Sequence, residues 1–302
     1  MKRVLVTGAA GFIGYKTGLF FKNAGYSVIG WDRNNDKARE FDIIGLDMMN
    51  VEDVELQLKQ YNPDIIIHCA GCADVGQSVK NPHMDYTGNV TLTHNLLFSL
   101  HRLGMNGVRV VFLSSAAVYG NVLSLPIREN VELNPLSPYA LHKVMCEEMC
   151  RYFHQNHGMD IKIARVFSAY GAGLKKQIFW DMFNKASNGA LNMFGTGRET
   201  RDYIHVNDVI NVLYLIGTVN TKVFVFNVAN GEEITIKQAA ETFAKNVGIN
   251  TEKVTFNNIV REGDPLNWKA NIDRIKELGY QQKIKFAEGI KEYVDWCRTM
   301  EN

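Results

Sequence analysis

The stretch Gly8-Ala9-Ala10-Gly11-Phe12-Ile13-Gly14 constrains the fold more than any other. It follows a β-branched-rich run at residues 3–7 and opens a helical pattern that reaches residue 23. A second strand pattern covers residues 27–31 and ends at Asp32. These parts make a βαβ unit with glycines at its first turn. Glycine lets the backbone turn tightly and approach a pyrophosphate, which then sits on the N-terminus of the helix. Gly8, Gly11 and Gly14 are therefore expected to cradle a dinucleotide, with Phe12 and Ile13 beside it. Asp32 stands where a carboxylate accepts from both hydroxyls of the adenosine ribose. That favours NAD, because a 2′-phosphate would be repelled. Arg33 follows and could greet such a phosphate, so NADP remains the second reading. A plain tight βα turn would not require an acid at this spacing.

Further strand patterns at residues 41–46, 64–68, 109–113 and 161–165 alternate with helical ones at 51–61, 86–103 and 137–157. Such alternation without hairpin signals predicts an α/β fold with a parallel, doubly wound sheet of Rossmann type. Asp47 and Met48 close the third strand, where they would flank an adenine. The fourth strand runs into Cys69-Ala70-Gly71, small residues that let a cofactor lie close. Cys69 and Cys72 have redox-motif spacing, but no thioredoxin-like pattern surrounds them, so a thiol switch is the weaker reading. Texture changes after Arg165. Residues 1–170 are expected to bind the dinucleotide, with 206–228 returning to that domain, and 171–302 to form a smaller mixed α/β substrate lobe.

Residues 137–143 read Ser-Pro-Tyr-Ala-Leu-His-Lys and look like the first turns of a helix. Ser137 suits the N-cap and Pro138 the first helical position. Tyr139 and Lys143 then lie one turn apart on one face. An ammonium beside a phenol favours the phenolate, which would make a general base. Of the twelve tyrosines, only Tyr139 has a lysine four residues later. The bland alternative is a solvated helix face with a chance pair. Ser115 ends the fifth strand, where hydroxyls project into the ligand crevice of an open sheet. His142, Cys146, Cys150 and His154 recur every fourth residue, yet one straight helix cannot wrap them around an ion. They are read as packing residues, and no metal site is expected.

A formal net charge of +1 leaves no footprint for nucleic acid. No apolar run reaches the length of a membrane span, and the N-terminus enters a strand rather than a signal peptide. Five cysteines without framework spacing suit reduced thiols in a cytoplasmic protein.

The whole pattern resembles the extended short-chain dehydrogenase/reductase family, the nucleotide-sugar epimerases and dehydratases. Thr7-Gly8 through Gly14 matches its T-G-x-x-G-x-x-G. Ser115, Tyr139 and Lys143 match its catalytic Ser/Thr and Tyr-x-x-x-Lys, and Asn89 matches its helix asparagine. Gly195-Thr196-Gly197 leads to Arg201, and Arg261 stands in a later Arg-Glu-Gly-Asp loop. The resemblance implies that Asn89 and Phe167 border the cofactor. It also implies that Ser168, Arg201 and Arg261 meet a nucleotide-diphosphate sugar, and that the chain forms a homodimer through the helices at 86–103 and 137–157. The 4,6-dehydratases carry acids after the catalytic hydroxyl, where this chain has Ala116 and Ala117. The run Ser-Ser-Ala-x-Val-Tyr-Gly is similar to that of UDP-glucose 4-epimerases, although these usually have asparagine where Ser168 stands. An NAD-dependent 4-epimerase of polysaccharide biosynthesis is thus the leading expectation. A 4-keto-sugar reductase is the near alternative, and a non-catalytic dinucleotide sensor the remote one.

Overall fold

A computed structural model describes residues 1–34, 40–259 and 266–300. In its first half, strands β1 (Arg3–Thr7), β2 (Ser27–Asp32), β3 (Asp42–Gly45), β4 (Ile65–His68), β5 (Arg109–Ser115) and β6 (Ile161–Val166) alternate with helices. These are α1 (Phe12–Asn23), α2 (Val51–Tyr61), α3 (Val75–Lys80), α4 (Pro82–Tyr86), α5 (Leu92–Arg102) and α6 (Pro138–His157). The later strands are β7 (Ser168–Tyr170), β8 (Leu191–Met193), β9 (Thr200–Arg201), β10 (Tyr203–His205), β11 (Val225–Val228), β12 (Ile234–Thr235) and β13 (Val254–Phe256). The later helices are α7 (Gln177–Ala186), α8 (Val206–Thr218), α9 (Ile236–Val247), α10 (Asp273–Glu277) and α11 (Phe286–Arg298).

Seven parallel strands form the main sheet in the order β11-β6-β5-β4-β1-β2-β3. Strands β4 and β6 are buried throughout, as expected when helices cover both faces of a sheet. One face packs on α1 and α8 through Val4, Val6, Ile65, Val209 and Leu213. The other packs on α2, α5 and α6 through Leu5, Ile66, Leu58, Leu97 and Phe153. Cys146 and Cys150 belong to this second core, and the helix stripe is packing. His142 bonds Asp85, and His154 bonds the Met159 carbonyl. Among the described residues no group of side chains could hold a metal ion. Nor is any described helix long and apolar enough to cross a membrane.

The order of strands reverses beside β1, with β2 on one side and β4 on the other. A crevice opens outside the carboxyl ends of the strands at such a point. Three short pairs, β7 with β10, β8 with β13 and β9 with β12, join α7, α9 and α11 around a separate aromatic core. Phe12 packs against that core from the first turn of α1, which ties the glycine turn to the smaller lobe.

One expected element is different. The helix read over residues 86–103 is interrupted by a π-helical turn, Thr87–Thr91, between α4 and α5. The turn is fastened by side chains: Asn89 Nδ2 donates to Asp85 O at 3.0 Å, and Thr93 Oγ1 donates to Asn89 O at 2.8 Å. Single π turns inside α-helices often mark functional sites.

Candidate active site

A cavity of about 800 Å³ lies at the carboxyl ends of the strands, with walls from the sheet and from the smaller lobe. Gly8, Gly11, Phe12, Ile13 and Gly14 form one wall. Gly8 has φ of 65°, and a Cβ there would lie 2.7 Å from the backbone nitrogen of Ala70. A Cβ on Gly14 would lie 2.2 Å from Gly8 O, so α1 can start against the turn only with glycine there. A Cβ on Gly11 would meet Gly8 O alone, at 3.1 Å, which leaves the cavity side open to a ligand. Asp32 braces the same turn: its two carboxylate oxygens accept from Ala10 N at 2.9 Å and Asn34 N at 3.0 Å. Each oxygen retains capacity for another donor.

Tyr139 and Lys143 line the same cavity. They are 8% and 6% exposed, so the pair is not a solvated face. Ser137 Oγ accepts from Ala140 N at 3.2 Å, and Pro138 takes the first helical position. The N–H of Tyr139, a first-turn donor without a helical partner, reaches Ser78 Oγ at 3.1 Å. Lys143 Nζ donates to Leu113 O at 3.0 Å and lies 6.0 Å from the centroid of the Tyr139 ring. Ser115 also lines the cavity, at the end of β5. Its Oγ accepts from Ala117 N at 3.2 Å and starts the 3-10 turn Ala116–Tyr119, so its own proton is left to donate.

The cavity thus brings together a glycine cradle, a buried Tyr–Lys pair and a serine. The whole chain is similar to known proteins. The model of the NAD dependent epimerase/dehydratase family matches residues 4–229. The UDP-glucose 4-epimerase of Azospirillum brasilense is 30% identical over 99% of this chain and 93% of its own. The UDP-glucuronate 4-epimerase of Thermodesulfobacterium geofontis is 28% identical over 97% of this chain and 95% of its own. A crystal structure of UDP-glucose 4-epimerase from Thermotoga maritima, with UDP-glucose, superposes with a TM-score of 0.91. It is 26% identical and covers 99% of this chain and 100% of that one. The chain belongs to the NAD-dependent epimerase/dehydratase family. It is an enzyme of the extended short-chain dehydrogenase/reductase type.

The residues present fit the family's dinucleotide. Gly11 and Lys143 stand in one cavity, and Asp32 braces the glycine turn with acceptor capacity to spare. Buried Asn89 Oδ1 has no hydrogen-bond partner, and it lies 2.6 Å from where a Cβ of Gly71 would stand, so only glycine fits there. Cys69 and Gly71 continue the wall, as do Phe167, Ser168 and Arg201. Ala70, Asp32, Asp47, Met48 and Asn89 are outside the lining. Ala70 N donates to Thr7 Oγ1 at 3.1 Å. Asp47 Oδ1 accepts from Met49 N at 3.0 Å, and the Met48 side chain is packed in the core. Arg261 lies outside the described residues.

Burial pushes the Cys69 thiol up to about 12, against the pull of Lys143, and it raises Cys72 as well. Both are free thiols and protonated at neutral pH, which makes them poor nucleophiles and disfavours the thiol-switch reading.

His68 joins the parts of the cradle. Thr93 gives its proton to Asn89 O, so its oxygen accepts from His68 Nε2 at 3.2 Å. With Nε2 carrying the ring proton, Nδ1 accepts from Thr7 Oγ1 at 2.7 Å, and Thr7 Oγ1 accepts in turn from Ala70 N. Neutral imidazole satisfies both ends. Burial, with Lys143 nearby, lowers the His68 pKa to about 3.

Several lining residues escape a reading of spacing. Lys176, Phe194 and Glu199 come from loops of the smaller lobe, and Trp268 from a late loop that packs on the core of the main sheet. Trp268 carries the Arg201 guanidinium over its ring at 5.4 Å. Glu199 accepts from Thr196 N at 2.9 Å and braces the Gly195–Gly197 turn. Only the glycines around Thr196 signal that turn in the sequence.

Proposed function

We propose that the protein is an NAD-dependent nucleotide-sugar 4-epimerase. The observation that carries this reading is the shared cavity: Ser115, Tyr139 and Lys143 line the same space as the glycine cradle. The chemistry a bound dinucleotide supplies is a reversible hydride sink for C4 of the sugar, open to either face of the 4-keto form. Tyr139 Oη takes the proton of the C4 hydroxyl and later returns it. Ser115 Oγ donates to the C4 oxygen and steadies its developing charge. Lys143 holds the nicotinamide ribose. Asp32 accepts from the adenosine ribose, and Asp47 flanks the adenine together with the backbone of Met48, whose side chain is in the core. Arg201 and Arg261 grip the nucleotide end, so the hexose can rotate while its handle stays, and Ser168 meets the substrate beside them. Residues 1–170 with 206–228 serve the cofactor, and the remainder serves the sugar nucleotide.

Ala116 and Ala117 cannot move protons, which argues against elimination of water. The second reading is a 4-keto-sugar reductase, which needs the same Tyr139, Lys143 and Ser115, and Ser168, where 4-epimerases usually have asparagine, leaves the sugar open. The deciding experiment offers UDP-, GDP-, CDP- and dTDP-sugars to the purified protein, with products separated by chromatography. The epimerase reading expects a C4 epimer with no stoichiometric change in nicotinamide absorbance. Steady consumption of reduced cofactor with a 4-keto sugar would replace it with the reductase. Tyr139→Phe that left cellular function intact would favour a non-catalytic sensor. Five free thiols support a cytoplasmic setting. An exposed apolar stripe on α4 and α6 supports a homodimer.

A further inference from the structure

Behind the cavity wall lies a buried ionic cluster with no part in the steps above. Glu147 on α6 is 0% exposed and Arg165 on β6 is 2% exposed. Arg165 forks onto the carboxylate, with Nε donating to Oε1 at 2.9 Å and Nη2 to Oε2 at 2.6 Å. Ser114 Oγ donates to the same Oε1 at 2.5 Å. Arg165 Nη1 reaches Tyr119 Oη and Glu129 O, both at 3.0 Å. Tyr119 Oη donates in turn to Asn227 Oδ1 at 2.5 Å.

Such a pair is a weak source of stability. Apolar replacements of equal volume often do as well, because two charges lose their hydration. Its placement is more telling. Glu147 lies one turn beyond Lys143 and two beyond Tyr139, on the same face of α6. Ser114 precedes Ser115. Tyr119 ends the 3-10 turn that Ser115 caps. The cluster therefore fastens the helix carrying the base to the strand end and turn carrying the serine. Lys143 repeats the fastening one residue earlier on β5, through Leu113 O.

We propose that Glu147 and Arg165 are positioning residues that hold Ser115 in register with Tyr139 and Lys143. The catalytic meaning of that register rests on the 4-epimerase reading above.

The test uses the cofactor-loaded protein and three variants: Ser114→Ala, Glu147→Gln and Glu147→Leu. Misplacing a reacting group by about 1 Å can cost ~100-fold, so partial slack should cost about tenfold or more. Ser114→Ala and Glu147→Leu are expected to lose that much kcat with KM and bound-cofactor content near wild type. Glu147→Gln keeps an acceptor for Ser114 and should recover part of the loss. Glu147→Leu leaves Arg165 uncompensated. If it does not fold, Glu147→Leu with Arg165→Met replaces it as an apolar pair, and the same loss in kcat is expected. Crystal structures should show the Ser115 Oγ to Tyr139 Oη separation widened by about 0.5 Å in the variants that lose rate. Folded variants with unchanged kcat, a loss carried by KM, or an unchanged separation would each overturn the proposal. If the wild type acts on no nucleotide sugar, the 4-epimerase reading falls, and the crystallographic separation alone decides for or against the positioning role.

Discussion

At Tyr139 the proposed chemistry depends on one oxygen. Tyr139→Phe keeps the ring, the N–H to Ser78 and the packing of α6, and removes only that oxygen. General base catalysis of this kind is worth about 10²–10⁴-fold, so kcat should fall by roughly 10³, or about 4 kcal/mol in the barrier. Bound cofactor, read from absorbance after denaturation, should be unchanged. A loss of cofactor along with the rate would assign Tyr139 to binding instead. His68 gives a prediction of a different kind. Its folded pKa is about 3, while an unfolded histidine titrates near ~6.5. Between those values the unfolded chain binds the extra proton, so the contribution of His68 to stability is complete above ~6.5 and is lost as pH falls. Denaturant unfolding of the wild type and His68→Gln, compared from pH 7.5 down to 4.5, isolates this group. The wild type should lose ground to the variant by up to about 1.4 kcal/mol per pH unit below ~6.5. Parallel curves would mean that His68 is charged or exposed in the folded state.

Helix α1 and its turn were legible in the sequence because glycine is a backbone requirement, and backbone requirements are local. Gly14→Ala places a methyl against Gly8 O, where the ideal separation is 2.2 Å. Both are backbone positions with nowhere to move, so α1 must shift off the turn. NAD binding, followed by calorimetry or fluorescence, should fall by at least tenfold, a change of about 1.4 kcal/mol. Gly25→Ala is the control. A Cβ there meets nothing, although its φ of 86° still carries a strain of about 1 kcal/mol, so stability should drop slightly and NAD affinity should hold. The π turn at Thr87–Thr91 was not legible. One extra residue barely disturbs a helical pattern of apolar positions, and the bonds of Asn89 and Thr93 that hold the turn are choices of side-chain partner. The same limit hid Glu147 and Arg165. A charged residue within the apolar strand 161–166 was the available signal, but its partner lies on a different element. Lys176, Glu199 and Trp268 reach the cavity from loops placed by tertiary packing, which no spacing in the chain encodes.

On the scale of the whole molecule, the two lobes are joined at the cofactor site itself. Phe12 sits in the smaller lobe's core while Gly11 and Gly14 hold the turn, and a Cβ on Gly173 would touch the Phe12 ring at 3.5 Å. The far side of α6 points elsewhere. Its buried positions, Tyr139, Lys143, Cys146, Glu147 and Cys150, face the sheet and the cavity. Leu141, Met145 and Tyr152 lie on the outer face and are 48%, 37% and 55% exposed. Met84 and Tyr86 on α4 are exposed as well, at 49% and 38%. Large apolar side chains exposed on neighbouring helices suit a protein–protein contact. A second copy of the same chain, packed through α4 and α6, would cover it with an isologous interface. Carboxylates at its centre should oppose that packing, because the two-fold axis brings each substituted position near its copy and leaves desolvated charges unpaired. Leu141→Glu with Met145→Glu is therefore expected to convert a dimer to a monomer in light scattering coupled to size exclusion. Both positions lie on the face of α6 turned away from Tyr139 and Lys143, so the monomer should keep bound NAD. A wild type that elutes as a monomer, or a doubly substituted chain that still elutes as a dimer, would move the interface away from these helices.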